Sequence, residues 1–201
     1  MIMEIKLVYI DNFLGKAWRK AFSGIDNVYI INEDITKVKS DAIVSPANSF
    51  GFMDGSLDYV LSEHFGWHIQ EKLQEKIKNS DLGELLVGTS MVLETGNSEI
   101  PYLISAPTMR VPMNFNIATS INAYLAMKAI LIACKNHDDI NSVNIPGLCT
   151  GCGRMPYHIA AEQMFLAYEE VVLGKKRDFK EFGDAQRFQI KLNENSLIWH
   201  H

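Results

Sequence analysis

Pro146-Gly-Leu-Cys-Thr-Gly-Cys-Gly-Arg-Met-Pro156 is the stretch on which the reading of this chain turns. It begins where an apolar run of strand length, 142–146, ends, and it stops just before 158–173, a segment of helical period. Three glycines and the small side chains between them therefore lie at the carboxyl end of a strand and ahead of a helix. Backbone N–H groups in such a loop can turn toward an anion, and the following helix adds the positive end of its dipole, so a diphosphate can be cradled here. The plainer reading of the loop alone is a turn that closes a strand onto a helix. Neither common nucleotide fingerprint fits it: there is no Gly-x-Gly-x-x-Gly followed by an acid on a second strand, and no Gly-Lys-Ser/Thr pair.

Outward from this loop the same alternation continues. Residues 6–10, 28–32, 42–45, 89–94, 102–106 and 142–146 read as strands, and several are continuously apolar, as central strands buried on both faces are. Helical period marks 14–22, 57–78, 117–135 and 158–173; in 57–78, Leu61, Phe65, Ile69, Leu73 and Ile77 recur every fourth residue, and Gly66 interrupts the pattern as a kink or split. Asn116 and Pro156 are suitable helix starts. Strands alternating with helices predict an α/β sheet covered by helices. Residues 174–201 are richer in charge and read as an extension without an assignable fold, most simply a solvated face; Trp199, His200 and His201 are set aside from fold reasoning.

Composition narrows the function. At 201 residues, 47% apolar and 21% charged, the chain matches one soluble globular domain. Nineteen lysines and arginines against 24 acids, a formal net charge of −5, provide no general drive toward nucleic acid or anionic lipid. The charge still allows an anionic small molecule held by backbone. Three cysteines are too few for a disulfide scaffold, which favours a reducing, cytoplasmic setting, and no run of about 18 apolar residues suggests a membrane span.

A second loop complements the first. Asp41-Ala-Ile-Val-Ser-Pro-Ala-Asn-Ser-Phe-Gly-Phe-Met-Asp-Gly-Ser-Leu-Asp58 again runs from a buried strand into polar and glycine residues before a helix. The Asn48 amide both donates and accepts and suits ribose hydroxyls; Asp54 and Asp58 can accept from hydroxyls or orient a water. Asp58 as an ordinary helix N-terminal acid and Asp54 as a turn residue are the plain alternatives. Asp34, after the second strand, is suited to accept from an exocyclic amine. Cys149 and Cys152 form a C-x-x-C, but zinc needs about four ligands, and no second paired motif accompanies it. His64 and His68, four apart on one expected helix, lack the glutamate of a metalloprotease helix and read as surface or half-buried side chains.

Taken in this order, these segments resemble the macrodomain family, the ADP-ribose-binding module. Glu33-Asp34-Ile35, Val44-Ser45-Pro46-Ala47-Asn48, Asp54-Gly55-Ser56-Leu57-Asp58 and Gly147-Leu148-Cys149-Thr150-Gly151-Cys152-Gly153 stand where the family has Gly-Asp-Ile, Val-Asn-Ala-Ala-Asn, a glycine-rich turn ending in Val-Asp, and the phosphate loop. The resemblance spans roughly residues 4–173, and it implies a single three-layer α/β/α macrodomain over 1–175, with a mixed, mostly parallel central sheet and a charged extension over 176–201. It further implies that Asp34 accepts from the adenine amino group with Ile35 beside it, that Ala47, Asn48 and Gly55 contact the ligand with Asn48 on the distal ribose, and that Gly147, Leu148, Cys149, Thr150, Gly151, Cys152 and Gly153 wrap the diphosphate. Asn48, Asp54 and Asp58 are then the catalytic candidates, with no metal and no cofactor. The expected activity is hydrolysis of ADP-ribose 1''-phosphate or of mono-ADP-ribosylated protein side chains, and the alternative is a reader that binds ADP-ribose without turnover.

The chain also departs from the family. Ser45 replaces the first asparagine, Pro46 replaces an alanine, Phe52-Met53-Asp54-Gly55 replaces the glycine run, and Gly153 stands where many hydrolysing members have an aromatic. Met155 occupies the position of the aspartate that a lysine-dependent subgroup uses, so that covalent mechanism is not carried over.

Overall fold

Ala42-Ile43-Val44 and Leu103-Ile104 are apolar without alternation because they run through the middle of a sheet whose two faces are both covered. The computed structural model describes residues 3–113 and 117–196. In chain order these form β1 (Glu4–Tyr9), α1 (Asn12–Ala21), β2 (Val28–Asn32), β3 (Ala42–Ser45), α2 (Ser56–Phe65), α3 (His68–Lys78), β4 (Met91–Glu94), β5 (Tyr102–Ser105), α4 (Asn122–Lys135), β6 (Ser142–Ile145), α5 (Tyr157–Val171) and α6 (Phe182–Leu192). The strands lie in the order β2-β1-β6-β3-β5-β4, parallel except for β4, which runs antiparallel to β5. This is the α/β sheet that the alternating pattern predicted, and it is mixed and mostly parallel as the family resemblance implied.

Successive strand residues point to opposite faces, and that period of two sorts the core into two layers. Ile5, Leu7, Ala42, Val44, Ile104, Val143 and Ile145 pack with Trp18 of α1 and with α4 and α5. Val8, Ile43, Leu93 and Leu103 face the other way, onto Leu61 and Phe65 of α2 and Ile69, Leu73 and Ile77 of α3. Burying each such side chain contributes about 1.5–3 kcal/mol.

Three expectations are sharpened or moved. The expected helix over 57–78 is two helices: Gly66 takes φ +94°, closes α2 by donating to the Ser62 carbonyl at 2.8 Å, and lets α3 start in a new direction. His64 and His68 therefore sit on different helices and do not share a face. The helix expected from 117 begins at Asn122, where Ser120 Oγ accepts from the Asn122 N–H and Gln163 Oε1 from the Tyr124 N–H, while Asn116 lies outside the described residues. Part of the charged C-terminal segment is the helix α6. Its Leu192 is buried and its carbonyl accepts from Gln163 Nε2 of α5 at 3.0 Å; Asn193 Nδ2 donates to the Ala118 and Ser120 carbonyls.

Candidate functional site

β3 and β6 are direct neighbours, Ala42 opposite Val143 and Ile43 opposite Asn144, so the loops leaving their carboxyl ends start side by side although they are far apart in sequence. In parallel sheets this end is where ligands bind. A cleft of about 630 Å³ opens there, lined by the segments that follow β1, β2, β3, β5 and β6 and by the first residues of α2 and α5. That volume is in the range of small-molecule sites.

The loop after β6 supplies one wall. None of the backbone N–H groups of residues 147–153 has a protein acceptor among the described residues, whereas the next two, of Arg154 and Met155, donate to the Gly151 and Cys149 carbonyls at 3.0 Å. Cys149 and Arg154 both take positive φ, 64° and 53°, which turns the peptides between them. Glycine at 153 is dictated by space: a Cβ there would stand 2.6 Å from the Cys149 carbonyl oxygen and 2.8 Å from Ile117 Cγ1. Opposite this wall α2 begins at Ser56 with no side-chain cap, so no side chain of the cap residue accepts from its first N–H groups. Ser56 Oγ lies 3.7 Å from Cys152 Sγ, so the two loops touch.

All of the expected site residues except Leu148 line the cleft: Asp34, Ile35, Ala47, Asn48, Asp54, Gly55, Asp58, Gly147, Cys149, Thr150, Gly151, Cys152 and Gly153. Leu148 is the exception because its side chain is fully buried in the core beneath the loop. Arg154, the one cation in the 146–156 stretch, is not among the lining residues. Among the described residues the cleft carries no lysine or arginine and five carboxylates, Asp11, Glu33, Asp34, Asp54 and Asp58.

Four of the five are already engaged. Asp11 caps α1 through the Phe13 N–H at 2.7 Å and accepts from the Tyr157 hydroxyl, and these two bonds hold its pKa low. Asp34 accepts from the Thr36 hydroxyl at 2.8 Å and the Thr36 N–H at 3.0 Å, with the same effect. Glu33 accepts from the Asp34 N–H. Asp58, on the first turn of α2, is buried and accepts from Ser45 Oγ at 2.6 Å. Burial raises its pKa to about 6; the Ser45 bond works against that rise and the neighbouring charge of Asp54 adds to it. Asp54 is exposed, as Asp11 and Glu33 are, and it alone of the five has no donor among the described residues.

Asn48 is used differently from the expectation. Its Oδ1 accepts from the Phe50 and Phe52 N–H groups at 3.1 and 3.3 Å, and its Nδ2 donates to the Phe52 carbonyl at 2.8 Å. The amide is largely spent on folding the loop, leaving one Nδ2 hydrogen for a ligand. Asn48→Ala should therefore lower stability by about 1–2 kcal/mol, because two N–H groups lose their acceptor. A thermal melt checks this, and an unchanged midpoint would return Asn48 to a purely ligand-facing role.

The sequence reading missed Asp11 and Tyr157, whose hydrogen bond at 3.0 Å closes one end of the cleft. The signal was present: both stand where a helix starts just past a parallel strand's carboxyl end. It missed as well the segment after β5, where Thr108 and Met109 line the cleft and Met109 pairs with Asn48. The C-x-x-C places Cys149 in the interior and Cys152 in solvent, and burial pushes the Cys149 thiol far up. Among the described residues no group of three or more His, Cys, Asp or Glu is arranged to hold a metal.

The family model for the Macro domain matches residues 44–164, which runs from the strand before the Asn48 loop through most of α5. The chain belongs to the macrodomain family. An uncharacterized protein of Aquifex aeolicus is 31% identical over 140 residues, 69% of this chain and 78% of that one. Among solved structures, an Oceanobacillus iheyensis macrodomain variant with ADPR matches with a TM-score of 0.60 at 20% identity, covering 80% of this chain and 88% of that one. Thermosipho africanus DarTG in complex with ADP-ribose matches with a TM-score of 0.56 at 15% identity, covering 92% of this macrodomain's chain and 56% of the other.

Proposed function

We propose that this macrodomain binds ADP-ribose in the cleft and hydrolyses ADP-ribose derivatives at the distal ribose. The binding half is carried by the unpartnered N–H groups of residues 147–153 opposite the uncapped start of α2. In a cleft with no described lysine or arginine, only a ligand that accepts many backbone hydrogen bonds matches that wall, and a diphosphate does so. Asp34 and Ile35 then meet the adenine, and the loop from Asn48 to Asp58 meets the distal ribose. The ADPR-bound and ADP-ribose-bound neighbours support the choice of ligand.

For hydrolysis, Asp54 is the cleft carboxylate that no donor among the described residues occupies, and it is exposed to water. A water held there attacks the anomeric carbon; the bond to the acceptor breaks with its electron pair leaving on the acceptor, and Asp54 takes the water's proton. ADP-ribose 1''-phosphate and mono-ADP-ribosylated side chains are the substrates to try first. The reader alternative is favoured by one observation: the Asn48 amide and the Asp58 carboxyl are both occupied within the protein.

Titration with ADP-ribose, AMP and NAD tests the binding half. ADP-ribose should bind most tightly, and equal affinity for all three would end the reading. Incubation with ADP-ribose 1''-phosphate and with ADP-ribosylated acidic side chains tests the chemistry: release is expected, and Asp54→Ala and Asp58→Ala should reduce turnover without weakening affinity for free ADP-ribose. Tight binding with no release selects the reader.

A further inference from the structure

The engagement of the cleft acids points to the chemistry of the acceptor. We infer that this macrodomain selects ADP-ribose attached to a cationic side chain, arginine, with Asp54 and Phe52 as the residues that recognise it. This rests on the binding half of the reading above, with Asp54 paired to the acceptor in the bound complex in place of a water, and adds to it the identity of the group beyond the distal ribose.

Asp11, Glu33, Asp34 and Asp58 each accept from a protein donor, so their negative charge is already hydrogen-bonded. Asp54 is exposed in the cleft without a donor among the described residues, on the same segment as Gly55 and Ser56, whose helix start touches the phosphate-loop wall through Ser56 Oγ and Cys152 Sγ. A diphosphate bound there places its own negative charge near that carboxylate, with no described lysine or arginine in the lining to offset the repulsion. Free ADP-ribose is thus opposed by Asp54, whereas an ADP-ribose that carries a cation on its distal ribose brings the missing charge with it. The planar guanidinium matches a carboxylate better than an ammonium does, since it can donate two parallel bonds to the two oxygens.

Phe52 supplies the second contact. It is 54% exposed and lines the cleft. Its backbone is held on both sides, N–H and carbonyl, by the Asn48 amide, so the ring is carried on a fixed segment two residues before Asp54. An exposed aromatic ring two residues from a carboxylate, both lining one cleft, suits a cation stacked on one and paired with the other. The chain's net charge of −5 works in the same direction.

The test uses the full chain and three probes: free ADP-ribose, a peptide ADP-ribosylated on arginine, and the same peptide ADP-ribosylated on serine, each competed against a fluorescent ADP-ribose. The arginine-linked peptide should displace at roughly tenfold lower concentration than the serine-linked one, with the gap narrowing as salt is raised. Asp54→Asn should remove that preference and at the same time tighten free ADP-ribose, and Phe52→Ala should reduce the preference without tightening free ADP-ribose. Equal displacement by the two peptides, or an order unchanged in Asp54→Asn, overturns the inference while leaving ADP-ribose binding intact. If no probe displaces, the ADP-ribose reading falls and this inference with it.

Discussion

Gly153→Val is expected to lower affinity for ADP-ribose by about a hundredfold, the scale at which small misplacements of a positioned group are felt. The added Cβ would lie 2.6 Å from the Cys149 carbonyl oxygen, a backbone atom that already accepts from the Met155 N–H at 3.0 Å, and 2.8 Å from Ile117. The loop has to move, and the aim of its N–H groups moves with it. Overpacking of this kind also lowers stability, by about 1–3 kcal/mol. Gly151→Val separates the two effects. A Cβ at 151 meets nothing within 4 Å, so stability should stay within about 0.5 kcal/mol while the side chain still stands in the wall of the cleft and weakens binding. Arg154→Ala should change affinity far less than either, because Arg154 is not among the cleft-lining residues. Calorimetry on the three variants decides it: a loss in Arg154→Ala as large as that in Gly153→Val would mean that side-chain charge, not backbone, holds the diphosphate.

Asp58→Asn should stabilise the protein above neutral pH by up to about 3 kcal/mol. The Asp58 carboxyl titrates near 6 in the folded chain against 3.8 without the fold, because burial disfavours its ionised form. Below pH 3.8 it is protonated in both states and has no effect. Between 3.8 and about 6 the unfolded chain ionises first, and the folded state progressively loses stability relative to it; above about 6 the loss is complete. The advantage of asparagine, which still accepts from Ser45 Oγ, should therefore be full at pH 7–8 and vanish as pH falls from about 6 toward 4. Denaturant melts of both proteins across that window measure the difference directly. A constant difference between pH 4 and 8 would show that Asp58 is not held in a low-dielectric site. Ser45→Ala removes the one bond that favours the ionised form and should push the titration further up.

These two predictions draw on different parts of what was legible. Strand positions 28–32 and 42–45 could be read to the residue, because continuous apolar runs bounded by turn residues have few other solutions. The phosphate-loop wall was equally visible: glycines between a buried strand and a helix restrict what the backbone can do. The division of 57–78 was half visible, since Gly66 announced a break but not that its positive φ would end one helix and redirect the next. Asn122 as the start of α4 was out of reach, because its entry is set by Gln163 from α5, a contact that spacing along the chain does not encode.

Fold class, the two cleft loops and the net negative charge were determined by the sequence alone, because each rests on local pattern or composition: apolar periodicity, glycine placement and charge count. What only the tertiary structure decided is the state of each side chain in the cleft. Asn48 spends most of its amide on its own loop, Ser45 pairs with Asp58 across 13 residues, Leu148 turns into the core, and Asp54 has no donor among the described residues. A residue type specifies which hydrogen bonds are possible; only the packing of β3 against β6, which sets the loops face to face, determines which of them are made.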